Sequence, residues 1–299
     1  MKAFQNHCPH REFPPRLLET ILNKDDTLDF QHEHPLRICL LFPTSAELQP
    51  FSNLIPELSV LKDKPWEIYG AQINQLSLTV IVSYIGPANA AAATEHLITY
   101  QPQLILHGGA AGAINPTLMP GDIVIGASYK ILCSKPILDV RRNLLLSNKG
   151  VRYLRDGNAV HVEQLDAPSS LLEIAKSACE IVEGKHPVWT AGGWPAAVAR
   201  RAPICSTGTL GSQDGWTKDR DELDFIRTEF GVETEDMESA YVAQIAAKHD
   251  VPFLAVRAIS NNEYACTLEK SEIFPAVTAA DARSAEVLAA ICRRLAEPV

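Results

Sequence analysis

The 299-residue sequence has no window of about 18 uninterrupted apolar residues, so a membrane-spanning helix is not expected. Its first stretch, Met1 to Pro15, carries charges, prolines and histidines where a secretory signal would need an apolar run. Basic residues are in the minority, 27 Lys and Arg against 36 Asp and Glu. The resulting net charge of −9 repels a phosphate backbone instead of releasing its counterions, which argues against a nucleic-acid partner. Seven cysteines (Cys8, Cys39, Cys133, Cys179, Cys205, Cys266 and Cys292) are scattered without a CxxC pair, a pattern that fits reduced thiols in the cytosol. There is no internal repeat and no low-complexity tract.

What is present is a chain with 46% apolar residues, enough to fill a sizeable core. Residues 1–36, rich in charge, His and Pro, read as an N-terminal extension, and residues 37–299 as one domain. Apolar runs at Arg37–Phe42, Leu78–Tyr84, Leu104–His107, Asp122–Ile125 and Phe253–Ile259 have the length and composition of buried strands. Helices are expected over Pro87–Tyr100, Asp236–His249 and Asp281–Ala296. This alternation predicts an α/β fold, a mostly parallel, mixed central sheet flanked by helices, with ligands beyond the carboxyl ends of the strands. The stretch 130–203, with Gly192-Gly193-Trp194-Pro195 inside it, has no clear period and reads as an insertion.

Four features can carry chemistry. Leu106-His107-Gly108-Gly109-Ala110-Ala111-Gly112 is a strand running into a glycine-rich turn where backbone can approach a ligand. It is no dinucleotide fingerprint, because the G-x-G-x-x-G register ending at Gly112 would need glycine at His107. Thr44-Ser45-Ala46-Glu47 reads as a capping box, and Glu235, Asp236 and Glu238 as carboxylates at a helix start. Arg257 interrupts an apolar strand, where an unpaired charge is costly, and so requires an anionic partner. His7, Cys8, His10, His32 and His34 match no zinc spacing and read as solvated side chains.

Two stretches in the right order resemble the nucleoside phosphorylase and nucleosidase superfamily, and within it the 5′-methylthioadenosine/S-adenosylhomocysteine nucleosidases. They are Gly108 to Ile125, containing Pro116-Thr117-Leu118 and Gly121-Asp122-Ile123-Val124, and Glu235 to Ala240 followed by Val251 to Ser260. The resemblance implies cleavage of the N-glycosidic bond of a purine nucleoside, with no metal or organic cofactor, in a homo-oligomer of two or more subunits. It places Met237 and Glu238 at the ribose, Glu47 and Arg257 near an attacking water, Gly109 and Ala110 of the glycine turn beside the substrate, and Trp216 against the base.

The sequence also departs from that family. Asn261 stands where the adenine-specific nucleosidases have an aspartic acid that protonates the purine, and an amide is no general acid at neutral pH. Glu263, two residues on, can compensate. Where phosphorylases keep arginines and a serine for phosphate, the matching stretch has His107 and Ala110, which favours water as nucleophile. A phosphate-dependent purine nucleoside phosphorylase is the runner-up. A nucleoside-binding protein of the same fold that does not turn its ligand over is the third reading.

Overall fold

Each of the five apolar runs forms a strand in the computed structural model, which describes residues 35–62, 64–132, 137–139, 144–146 and 150–297. The histidine-rich extension, Cys8 and Cys133 lie outside the described residues. The strands are β1 (Leu36–Phe42), β2 (Ser59–Lys62), β3 (Glu67–Ile73), β4 (Leu76–Val82), β5 (Leu104–Ala113), β6 (Ile123–Ile131), β7 (Ile137–Asp139), β8 (Leu144–Leu146), β9 (Val151–Arg155), β10 (Asn158–Val162), β11 (Leu165–Asp166), β12 (Cys205–Ser212), β13 (Thr234–Asp236) and β14 (Phe253–Asn261). The helices are α1 (Ser45–Leu54), α2 (Pro87–Ile98), α3 (Ser169–Glu183), α4 (Arg220–Phe230), α5 (Ser239–Lys248) and α6 (Lys270–Ala296).

Ten strands form one mixed sheet in the order β11-β6-β12-β13-β5-β1-β4-β3-β2, with β14 paired to both β5 and β6. The pairs β1 to β4, β1 to β5, β14 to β5 and β12 to β6 are parallel, as expected for a sheet covered on both faces. Because β13 returns antiparallel to β5, strands β5, β14, β6, β12 and β13 close into a ring. Sequence pattern did not reveal that closure, since period and composition do not encode which edges meet. β1 and β14 are the apolar centre, and β14 is buried over its whole length, Arg257 included.

Four boundaries differ from expectation, and each has a packing cause. The glycine run is not a turn. β5 continues through it to Ala113, because a side chain at Gly108 would collide with Phe42 and Leu288, and the strand passes close beneath α6 only without one. Asp236 does not open a helix either: it ends β13, and α5 starts at Ser239. The last helix begins at Lys270, eleven residues before the expected start, with a reciprocal capping box between Glu269 and Glu272. It runs through Pro275, whose lost hydrogen bond is outweighed by a buried stripe that includes Ala276, Ala280, Val287, Leu288 and Ile291. Finally, the 130–203 stretch is not featureless: it contains α3 and the small β9–β10 ladder.

The expectation of unpaired thiols is corrected at one pair. Cys179, near the end of α3, and Cys205, at the start of β12, are joined by a disulfide, their Cα atoms 6.2 Å apart. A separation of 26 residues gave no sign of it, because only helix-on-strand packing brings the two together. The thiol-based argument for a cytosolic location falls with it. Cys39, Cys266 and Cys292 are free. No helix among the described residues is long and apolar enough to cross a membrane.

Candidate active site

A cleft that offers about 180 Å³ to water-sized molecules lies over the carboxyl ends of β5 and β14. Glu47, Ala110, Trp216, Met237, Glu238, Arg257 and Asn261 all line it, joined by Glu235, Asp236 and Ser260. Six separate elements and loops deliver these groups. Gly109 lies behind the wall: its φ of +141° suits glycine, and a Cβ there would stand 2.6 Å from Glu47 Oε2 and press on the Arg257 guanidinium.

Arg257 organises the floor. Its Nε contacts Asp236 Oδ2 at 2.9 Å and donates to Ser239 Oγ at 3.1 Å; Nη2 reaches Glu238 Oε2 at 3.3 Å, and Nη1 donates to the Gly108 carbonyl at 3.2 Å. Burial works against the guanidinium charge, but Asp236, Glu238, Glu47 and Asp281 together offset it and raise the Arg257 pKa. The anionic partner that the sequence required is therefore a set of carboxylates. Burial is the largest single influence and would raise Asp236, yet Arg257, His107 and the hydrogen bonds from Ser212 and Ser239 together outweigh it and hold this carboxyl below its ordinary range.

His107, fully buried, is neutral. Its Nδ1 donates to the Leu41 carbonyl at 2.8 Å, so Nε2 is the acceptor that faces Arg257. Burial first, and Arg257 second, push its pKa down to about 3.

Glu238 occupies the N-cap position of α5 without capping it. Its Oε1 instead accepts from the Gly86 backbone N–H at 2.9 Å while Oε2 faces Arg257, so the helix-start reading of this residue is corrected. The capping duty falls to Asp236, whose Oδ1 accepts from the backbone N–H groups of Glu238 and Ser239, both at 3.0 Å. Glu47 combines two duties. Thr44 caps α1 by accepting from the Glu47 backbone N–H at 3.2 Å, and the Thr44 hydroxyl donates to Glu47 Oε1 at 3.1 Å. The Glu47 carboxyl is raised well above its ordinary value, by burial and then by the charge of Asp281, against the pull of Arg257. A carboxylate made more basic in this way is a better proton acceptor.

At the other end of the cleft, Asn261 Oδ1 accepts from Ser260 Oγ at 2.7 Å and its Nδ2 donates to Glu263 Oε1 at 3.1 Å. Glu263 Oε2 is buried with no hydrogen-bond partner. Trp216 is 39% exposed at the rim, and Lys218 Nζ sits 4.2 Å from its ring centroid. Its loop is pinned by Glu235, which accepts from Thr217 N at 2.9 Å and Thr217 Oγ1 at 2.7 Å.

Sequence reasoning missed two members of the cluster. Asp236 looked like an ordinary helix-start acid. Asp281 carried a readable signal, an acid on the buried face of the last helix, one turn after Val277 of the cleft wall. Among the described residues there is no group of His, Cys, Asp and Glu arranged to hold a metal ion.

A mixed sheet that closes on itself, with a carboxylate-lined cleft organised around one buried arginine, defines an α/β protein built to bind a small polar molecule. The chain belongs to the phosphorylase superfamily, whose profile matches residues 37–297. It is 26% identical over 243 residues, 80% of this chain and 91% of the relative, to the 5′-methylthioadenosine/S-adenosylhomocysteine nucleosidase of Haemophilus ducreyi. The same fold is seen in the crystal structure of the Neisseria meningitidis nucleosidase of that name in complex with methylthio-immucillin-A (TM-score 0.65, 22% identity, covering 86% of this chain and 99% of that one). It is seen also in the futalosine hydrolase of Helicobacter pylori (TM-score 0.66, 18% identity, 87% and 98% covered).

Proposed function

We propose that this protein hydrolyses the N-glycosidic bond of a purine nucleoside. The observation that carries the reading is the charge of the cleft: the Arg257 guanidinium is already occupied by Asp236 and Glu238. Such a field opposes binding of a phosphate dianion and stabilises the positive charge that develops on a sugar as its bond to the base breaks. His107 adds no cation, since it is held neutral. Water is therefore the nucleophile, and the relatives named above as nucleosidase and hydrolase agree with that choice.

In this reading Glu238 and Met237 hold the ribose, the carboxylate accepting hydrogen bonds from its hydroxyls. Glu47 takes the proton of the attacking water while Arg257 keeps Glu238 in place. The water oxygen bonds to C1′, the pair of the C1′–N bond leaves with the base, and the base takes up a proton from solvent, which Glu47 restores when it releases the proton it took from the water. Trp216 offers a stacking surface for the purine at the rim. Asn261 and Glu263 read the base, and methylthioadenosine is the first substrate to try. The protein acts as a homo-oligomer, a point that sedimentation of the purified protein tests.

The deciding experiment is a panel of purine nucleosides with and without phosphate. Free base and free sugar should appear in phosphate-free buffer. Strict dependence on phosphate, with sugar 1-phosphate as product, would favour the phosphorylase reading. Asn261 in place of an acid motivates a second reading, a binder without turnover. Titration calorimetry beside the assay separates the two: tight binding with no base released supports the binder.

A further inference from the structure

Arginine has five N–H donors, and on Arg257 all five end on atoms of the protein itself. Nε donates to Ser239 Oγ at 3.1 Å, and Nη1 donates to the carbonyls of Gly108 at 3.2 Å and Ala110 at 3.4 Å. Nη2 donates to Glu238 Oε2 at 3.3 Å and to His107 Nε2. Arg257 borders the cleft, yet no N–H of it is left for a water or an anion there. Four of its acceptors are oxygens, and the fifth is a histidine, which accepts only if one tautomer is enforced. His107 is fully buried and does not line the cleft. Its register partner on β1 is Leu41, whose carbonyl stands 2.8 Å from Nδ1. A carbonyl oxygen can only accept, so the proton sits on Nδ1 and Nε2 is free to receive the guanidinium.

We propose that His107 is a positioning residue for glycosidic-bond cleavage: its Nε2 captures one N–H of Arg257 Nη2, aims the other at Glu238 and so holds that carboxylate toward the ribose. The proposal rests on Glu238 as the ribose ligand. The guanidinium is planar, so an acceptor that fixes one N–H of Nη2 sets the direction of the second. Without that acceptor a buried N–H is left unmet, and the guanidinium tilts to satisfy it at the expense of Glu238. With it, Glu238 is held at both oxygens, Oε1 by the Gly86 N–H at 2.9 Å and Oε2 by Nη2. Each oxygen keeps a lone pair for a ribose hydroxyl. Arg257 then acts through Glu238 and touches no nucleophile.

Two conservative variants separate this role from simple packing. His107→Gln places its amide where Nε2 stands and keeps an acceptor for Arg257, whereas His107→Asn copies the Nδ1 position and keeps only the bond to Leu41. With 5′-methylthioadenosine as probe, or the nucleoside of the panel that turns over fastest, His107→Asn should lose on the order of 10-fold in kcat/KM. His107→Gln should retain most of the activity. In a Glu238→Gln background the loss caused by His107→Asn should shrink to within about twofold, because the carboxylate it aims is gone. Equal losses in the two His107 variants, or losses that add fully to that of Glu238→Gln, overturn the proposal. ¹⁵N spectra of histidine-labelled protein read the tautomer with no substrate: the resonances that vanish in His107→Gln should show a protonated Nδ1 and a bare Nε2. The opposite tautomer overturns the proposal while leaving the hydrolase reading intact. A wild-type protein that releases base from no nucleoside of the panel overturns that reading and the proposal with it.

Discussion

At the residue scale, the distribution of hydrogen bonds around Glu238 separates catalysis from folding. Its Oε1 accepts from Gly86, a bond that the glutamine oxygen of Glu238→Gln can keep, while Asp236 continues to neutralise Arg257. The variant should therefore fold, yet lose on the order of 10²-fold in kcat/KM, because a neutral amide stabilises a developing cation poorly. Near-normal turnover with a lowered melting temperature would make Glu238 a purely structural carboxylate. Asn261→Asp puts an acid 3.1 Å from Glu263, in a pair that is 5% and 6% exposed, so one of the two must hold a proton. That proton is available to the leaving purine, and cleavage of methylthioadenosine should rise by about 10²-fold, the lower end of what general acids contribute. If wild type is already fast and the aspartate variant no better, base protonation comes from another group, and Glu263→Gln is the next variant to assay.

At the element scale, the site depends on how closely β5 passes beneath its neighbours. Gly109→Ala combines a backbone φ of +141° with a methyl group 2.6 Å from Glu47 Oε2 and pressed on Arg257. Both kcat and melting temperature should drop, whereas a variant indistinguishable from wild type would show that β5 can shift without loosening the charge cluster. The strands themselves were legible, because runs such as Ile38–Phe42 and Phe253–Val256 are apolar throughout and belong in the core. The glycine run was misread as a turn for a physical reason. Glycine marks close approach as well as reversal, and only the positions of Phe42, Leu288 and Arg257 decide which one applies. The early start of α6 escaped for a similar reason, with Pro275 hiding a stripe that packing preserves.

At the scale of the whole molecule, two features govern stability. The native state raises Asp281 to about 7, so it binds a proton there that the unfolded chain releases near 4. The folded pKa is the higher one, so this contribution is full below the unfolded value and is lost as pH rises toward 7. Asp281→Asn should then melt several degrees above wild type at pH 8 and close to it at pH 4. Calorimetric scans at the two pH values measure this, and an equal shift at both would mean that the carboxyl does not titrate in that range. The bond between Cys179 and Cys205 spans a sequence separation of 26 residues, for which chain entropy predicts a contribution of about 3.5 kcal/mol. Reductant should lower the melting temperature accordingly, and non-reduced peptide mapping should recover the linked pair.

By itself the sequence determined the alternating α/β architecture, the family, and the residues Glu47, Met237, Glu238, Arg257, Asn261 and Trp216 that line one cleft. These could be read because apolar period and contiguous motifs are local properties of a chain. The tertiary structure alone decided the closure of the ring through β13, the disulfide, the pairing of Asp236 with Arg257 and the burial of Asp281. Each of these joins segments far apart in the chain, and a charge buried between such segments takes its meaning from neighbours that only folding supplies.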